Sequence, residues 1–289
     1  MKIITLTSDL GLTDHYVASL KGQFYSTLGD VTLVDISHDV QPFNIAQASF
    51  FINNSWNDFP KGTIHFIDVD STPQISIGKT EHNMYPIIMQ LNGHYFVGSD
   101  NGIFSLLRGY EKAEKIVRID DFSNAGIDLR FATKNIYIPA IAKILKGEKL
   151  DSIGEELSSV RQAFTTQPTI EKDLIKGTVI YIDKYGNVII NITDDLYKQV
   201  GKNNPFTIFF KNSNYFIEQI SNAYSDVPTG EKLAIFNANG FLEIAINKGT
   251  VGSGGGASSL LGLNLRDIVR IEFHPKGSKE NIQSLFDRG

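Results

Sequence analysis

The chain has no cysteine among its 289 residues, which excludes disulfides, thiolate metal sites and a cysteine nucleophile. It also lacks any run near the ~20 apolar residues needed to cross a bilayer, so no membrane partner is expected. Basic residues are not in excess: 27 Lys and Arg face 32 Asp and Glu, for a formal net charge of −5. That balance argues against a general nucleic-acid binder, which needs a basic face. Lys2 is followed by a short strand and then Asp9, without a cleavable apolar region, so the expected location is cytoplasmic. No Gly-x-Ser-x-Gly elbow, Walker loop or dinucleotide fingerprint is present. The histidines at 15, 38, 65, 82, 94 and 274 show no metal-ligand spacing, and no metal is expected. His65 falls inside an apolar stretch and reads as a packed residue. What remains is ordinary for a globular protein, with 42% hydrophobic and 20% charged residues and length enough for two domains.

The first half alternates strands and helices. Ile3 to Thr7 is short, apolar and β-branched, and predicts a buried strand. Val17, Leu20, Phe24 and Leu28 recur at helical spacing, with Thr13 or Asp14 as the expected cap. Strands are expected at Val31–Ile36, Thr63–Val69 and Lys115–Ile119, helices at Asn44–Phe59 and Ile136–Lys146, and a hairpin around Asn92-Gly93. Such alternation indicates a wound α/β domain, placed at 1–165. Lys149 to Asp173 reads as the passage between domains. Beyond it come strands at Val179–Asp183, Val188–Ile192, Phe206–Phe210, Tyr215–Ile220, Leu233–Phe236, Phe241–Ile246 and Ile268–Phe273. So many short strands predict a small C-terminal β-barrel domain at 173–289.

Asp9 follows the first strand, where open α/β sheets bind ligands. Its carboxylate could accept hydrogen bonds from two neighbouring hydroxyls, such as those of a ribose, or could only cap the loop. Asp68 and Asp70 are two apart along a strand and so are expected on one face. They could hold Mg²⁺, share a proton as an acid/base pair, or form a solvated edge. Asp183-Lys184-Tyr185-Gly186-Asn187 joins two strands, and its last residue suits either a turn or the donor-acceptor edge of an adenine. The glycine-rich loop at 252–256 could bring backbone amides to a ligand or simply move.

Several short segments together resemble one family, the S-adenosylmethionine hydrolases that form adenosine, relatives of the fluorinases and chlorinases. They are Thr7-Ser8-Asp9-Leu10-Gly11, Asp14-His15-Tyr16-Val17, Lys21-Gly22, Val34-Asp35-Ile36-Ser37-His38, Val40-Gln41-Pro42-Phe43, Gly62-Thr63-Ile64-His65, Tyr95-Phe96-Val97-Gly98 and Asp100-Asn101-Gly102. Asp183 with Tyr185-Gly186-Asn187, Ala223-Tyr224-Ser225-Asp226 and Leu242-Glu243-Ile244-Ala245 continue the match in the second half. The resemblance implies a homotrimer, with a nucleoside held between the first domain of one subunit and the second of its neighbour. It implies no cofactor beyond S-adenosylmethionine as substrate. By the same resemblance Asp9 would hold the ribose hydroxyls, Phe43 would pack near the nucleoside, Asp183 would meet the methionine ammonium and Asn187 the adenine.

The implied chemistry is displacement at the ribose 5′ carbon by a water that an aspartate, an arginine and a histidine orient. Asp70 stands at the aspartate position, but Ile77 falls at that of the arginine and Ala132 at that of the histidine. Thr133 aligns near a serine that helps hold halide in the halogenating relatives. Ala238 stands where relatives offer a serine to the methionine end; Asn239 in the same turn is counted among the ligand-binding residues, with Phe131 and Thr133. The expected function is S-adenosylmethionine hydrolysis with Asp70 as the remaining base, and Lys79, His82 or Lys134 as candidate substitute cations. The alternatives are a protein that binds the nucleoside without turnover, and a halide-dependent transferase.

Overall fold

The computed structural model describes residues 2–73, 83–119, 132–250 and 254–275. The chain divides into two compact units, 1–165 and 166–289. In the first, strands β1 (Ile3–Ser8), β2 (Thr32–Ser37), β3 (Ile64–Asp68), β4 (Pro86–Leu91), β5 (His94–Ser99), β6 (Lys115–Ile119) and β7 (Gly154–Glu156) form one sheet in the order β2-β1-β3-β5-β4-β6-β7. Its β2-β1-β3-β5 side is parallel and the remaining pairs are antiparallel. Helices α1 (Tyr16–Leu28), α2 (Ile45–Asn53) and α3 (Ile138–Leu145) complete the unit.

Both faces of the sheet are covered, as parallel pairing requires. Leu20 and Phe24 of α1 and Ile138 and Ile141 of α3 pack with Ile4, Leu6 and Phe66. On the opposite side, Ala48 and Ile52 of α2 pack with Ile67, Met89 and Phe96. The chain leaves β1 for β2 on one side and returns past β1 to β3 on the other. The carboxyl end of β1 is therefore a topological switch point, the usual place for a ligand in such sheets.

Three local expectations change. Helix α1 starts at Tyr16, and its N-cap is His15 without a side-chain cap bond, so neither Thr13 nor Asp14 has that role. The second helix stops at Asn53, and Trp56–Asp58 forms a separate 3-10 turn. At its start Asn44 supplies the cap, accepting from the Gln47 amide at 3.0 Å. Third, the expected passage between domains contributes β7 to the first sheet and β8 (Thr169–Glu171) to the second. Its polar composition reflects edge strands, whose outer faces meet water.

The second unit adds β9 (Leu174–Ile182), β10 (Val188–Thr193), α4 (Asp194–Gly201), β11 (Phe206–Phe210), β12 (Asn212–Ile217), β13 (Ile220–Ser221), β14 (Lys232–Phe236), β15 (Phe241–Ile246), α5 (Ala257–Leu261) and β16 (Ile268–Phe273). The strands run in the order β12-β11-β16-β9-β10-β15-β14-β13, with β8 also on β9. They curl into a nearly barrel-shaped sheet around Ile175, Val179, Ile190, Ile208, Leu242 and Ile271. Among the described residues no helix is long and apolar enough to cross a membrane.

Candidate functional site

Three aspartates meet at the carboxyl edge of the first sheet. Asp9 leaves β1, Asp68 ends β3, and Asp70 follows two residues later. The Asp9 carboxylate accepts the Phe43 amide at 2.8 Å. Phe43 has φ +64 and is 73% exposed, and Asp70 has φ +46. Left-handed backbone is uncommon for residues with a side chain, costs roughly 1–3 kcal/mol, and persists where surroundings enforce it. Two such residues, each interacting with Asp9, mark this edge as a place where the fold positions groups against local preference.

The expected pairing of Asp68 with Asp70 is replaced by another arrangement. Because β3 ends at Asp68 and the chain turns at Asp70, strand alternation no longer aligns them. Each instead feels Asp9. Asp68 is 8% exposed. Burial pushes its carboxyl up to about 6, with Asp9 adding to the rise and hydrogen bonds from Ser71 and Thr133 opposing it. Asp70 is also raised, first by burial and then by Asp9, and Arg161 counters both.

Thr133 reaches Asp68 from a π-turn over Thr133–Tyr137 that runs directly into α3. Pro139 cannot donate to the carbonyl of residue 135, which leaves the first turn free to widen. Tyr137 is fully buried in the same network, its hydroxyl donating to the Ser71 carbonyl at 2.9 Å. Burial, and then Asp68, hold that phenol well above its usual range.

An ionised Asp68 in this setting costs stability. The folded state holds its proton to about pH 6, whereas an unfolded aspartate releases it near 3.8. The folded protein therefore binds more protons between those values, and stability falls as pH rises through them. Asp68→Asn is expected to raise the unfolding free energy at pH 8 by up to about 3 kcal/mol and to have little effect below pH 4. Urea unfolding at the two pH values measures the difference; an equal effect at both would show that the charge is not the cause.

Behind Asp9, Ser8 Oγ lies 2.6 Å from His38 Nδ1, and His38 Nε2 approaches Asp35 Oδ1 at 3.1 Å. Lys21 closes the line on Asp35 at 2.6 Å. His38 also accepts the Gly11 amide on its carbonyl at 2.8 Å, so this line, buried at Ser8 and His38, braces the loop that carries Asp9. His65, expected to be packed, is held between Thr5 Oγ1 at 2.8 Å and His94 Nδ1 at 3.2 Å, stacked on Phe96. Among the described residues no group of three or more His, Asp or Glu could hold a metal ion.

The second unit holds another polar cluster. Asp183 accepts the amides of Tyr185 and Asn187 through Oδ1 at 2.8 and 2.9 Å, and Asn187 Nδ2 through Oδ2 at 3.1 Å. Asn187 thus serves the turn and still has its amide oxygen to accept. Glu243, buried on β15, receives the Tyr224 hydroxyl at 2.7 Å and Asn237 Nδ2 at 3.3 Å. Burial raises the Glu243 carboxyl; the two hydrogen bonds oppose the rise, and the nearby Asp183 adds to it. Asn239 joins through its amide, which donates to Asn237 Oδ1 at 3.1 Å. Gly256 of the glycine-rich loop packs on the same turn: a Cβ there would collide with the Tyr185 carbonyl oxygen. The close approach made by that loop is thus to the Asp183–Asn187 turn.

Asp9, Phe43, Asp70 and Thr133 therefore gather in the first unit, and Asp183, Asn187 and Asn239 in the second. Phe131, Ile77, Lys79 and His82 lie outside the described residues. Lys134 is exposed, and among the described residues the cation acting on Asp70 is Arg161, a residue with no motif to announce it. Glu243 and Asp68 were visible as carboxylates inside apolar strand segments, a pattern that signals a satisfied buried acid.

Two family models match the chain. The SAM hydroxide adenosyltransferase N-terminal domain covers residues 4–154 and the corresponding C-terminal domain covers 177–270. The chain belongs to this family. Among its relatives is the (R)-S-adenosyl-L-methionine hydrolase of Methanocaldococcus jannaschii, 31% identical over 199 residues, which make up 68% of each chain. The fluorinase of Actinopolyspora mzabensis is 26% identical over 276 residues, covering 85% of this chain and 90% of its own. A crystal structure of a conserved protein from Thermotoga maritima superposes with a TM-score of 0.76 at 28% identity, covering 94% of this chain and 99% of that one.

Proposed function

We propose that the protein hydrolyses S-adenosylmethionine to adenosine and methionine. A water oxygen bonds to the ribose 5′ carbon as the carbon–sulfur bond breaks. The bonding pair leaves with sulfur, giving the thioether of methionine, and Asp70 takes the water's proton before passing it to solvent. The sulfonium is already a good leaving group, so alignment of the water and removal of excess solvent supply most of the acceleration. Asp9 holds the ribose hydroxyls, Phe43 packs near the nucleoside, and Thr133 lines the same pocket. Asp183 meets the ammonium, Asn187 the adenine edge and Asn239 the methionine end. The active form is a homotrimer whose subunits share each site, and no cofactor takes part.

The observation that carries this reading is Asp70 itself, a partly buried carboxyl at the sheet's switch point, set in a strained conformation beside Asp9. Water is favoured over halide as nucleophile by the charge present. An anion entering beside Asp9, Asp68 and Asp70 would be repelled, and Thr133 already gives a hydrogen bond to Asp68.

Incubation of purified protein with S-adenosylmethionine, followed by chromatography, is expected to yield adenosine and methionine in equal amounts. Tight adenosine binding by calorimetry without any product would favour a binding protein, a reading that the alanine at position 132 supports. A 5′-chlorinated nucleoside formed in high chloride would favour halide transfer.

A further inference from the structure

The Asp100-Asn101-Gly102 turn after β5 has no part in the chemistry just described, yet each of its residues engages the segment around Arg161 or the Asp70 backbone. Asp100 accepts the Arg161 amide through both carboxylate oxygens, at 2.9 and 3.1 Å. Asn101 Nδ2 donates to the carbonyls of Val69 and Asp70 at 2.9 and 3.1 Å. Gly102, at φ +105, lets the chain pass Ala163: a Cβ on it would lie 2.8 Å from the Ala163 Cβ. Ala163 is fixed in turn, its amide donating to Ser105 Oγ at 2.9 Å. Asp70 and Arg161, 91 positions apart in the chain, are thus tied by their backbones to consecutive residues of one turn.

We propose that this turn is a clasp that sets Arg161 against Asp70, so that Arg161 supplies the cation that the isoleucine at position 77 cannot. The inference rests on Asp70 being the base of the proposed reaction. Arg161 acts through Asp70, keeping it ionised, and is a positioning residue. Among the described residues the charged groups acting on Asp70 are Asp9, from the loop after β1, and Arg161. Asp100 also feels Arg161, and Asp68 also feels Asp9. Asp9 favours the protonated form of Asp70 and Arg161 the ionised form, so the guanidinium is what offsets a neighbour of like charge.

The test compares Arg161→Gln, Arg161→Lys and Asp100→Asn with the unaltered protein. The acid limb of the kcat/KM profile is expected to move to higher pH in Arg161→Gln, with a loss of about threefold to tenfold at pH 5 and less at pH 8. Arg161→Lys should restore most of the original profile, and Asp100→Asn should fall between. Carboxyl NMR titration of Asp70 in unliganded protein should show the same upward displacement without need of turnover. An unmoved Asp70 titration in folded Arg161→Gln overturns the proposal. Absence of adenosine from the unaltered protein would instead remove the hydrolase reading, and the titration would still decide whether Arg161 governs Asp70.

Discussion

Asp70→Asn is expected to lower adenosine formation by about 10²–10⁴-fold while leaving adenosine affinity within about threefold. Asparagine keeps the shape of the side chain but cannot take a proton from water. The rest of the pocket, including Asp9 held on the Phe43 amide, does not depend on that charge. The loss should therefore fall on kcat and not on binding. Single-turnover rates and calorimetry on the same preparation separate the two. A variant within threefold of the original rate would mean that water is activated elsewhere, and Asp70 would lose its role. An asparagine variant that no longer binds adenosine would instead place Asp70 among the groups that form the pocket.

The second large effect is on stability in acid. His65 lies in the core of the first unit, and burial, helped by His94, holds its imidazole down to about 3. The unfolded chain would protonate it near 6.5. Between those values the unfolded state binds more protons, so stability falls as pH drops through the window, by up to about 5 kcal/mol. Asp68 works in the opposite sense between 3.8 and about 6, and partly hides the loss. In an Asp68→Asn background the dependence should be exposed, and adding His65→Gln should flatten it. Trp56, the single tryptophan, packs edge-on to His94 with ring centroids 5.1 Å apart, so its fluorescence reports this unit. A slope unchanged by His65→Gln would show that another group controls acid unfolding.

Both effects come from residues whose environment decides their chemistry. His65 was legible as a packed side chain because a strand of Thr63-Ile64-His65-Phe66-Ile67 leaves no polar face for it. Its low proton affinity was not legible, since that depends on His94 and Phe96 of the neighbouring strand. Asp9 was legible at a strand's carboxyl end, from local pattern alone. The link between Asp68 and Thr133 was not, because it joins the end of a strand to a π-turn 65 positions later. The cations proposed from sequence were near Asp70 or Ala132 in the chain, whereas among the described residues the cation that acts on Asp70 comes from position 161. Chain proximity is a poor guide where a sheet brings distant loops to one edge.

By itself the sequence determined the alternation of strands and helices, the change to short strands in the second half, and the family, because these rest on local periodicity and ordered motifs. The absence of an arginine at 77 and a histidine at 132 was equally plain. Only the tertiary structure decided that Asp68 faces Asp9 and Thr133 instead of pairing with Asp70, and that Arg161 stands in Asp70's field. The reason is physical: electrostatic interaction and burial depend on distance through space, and the chain order does not encode that distance until the sheet has formed.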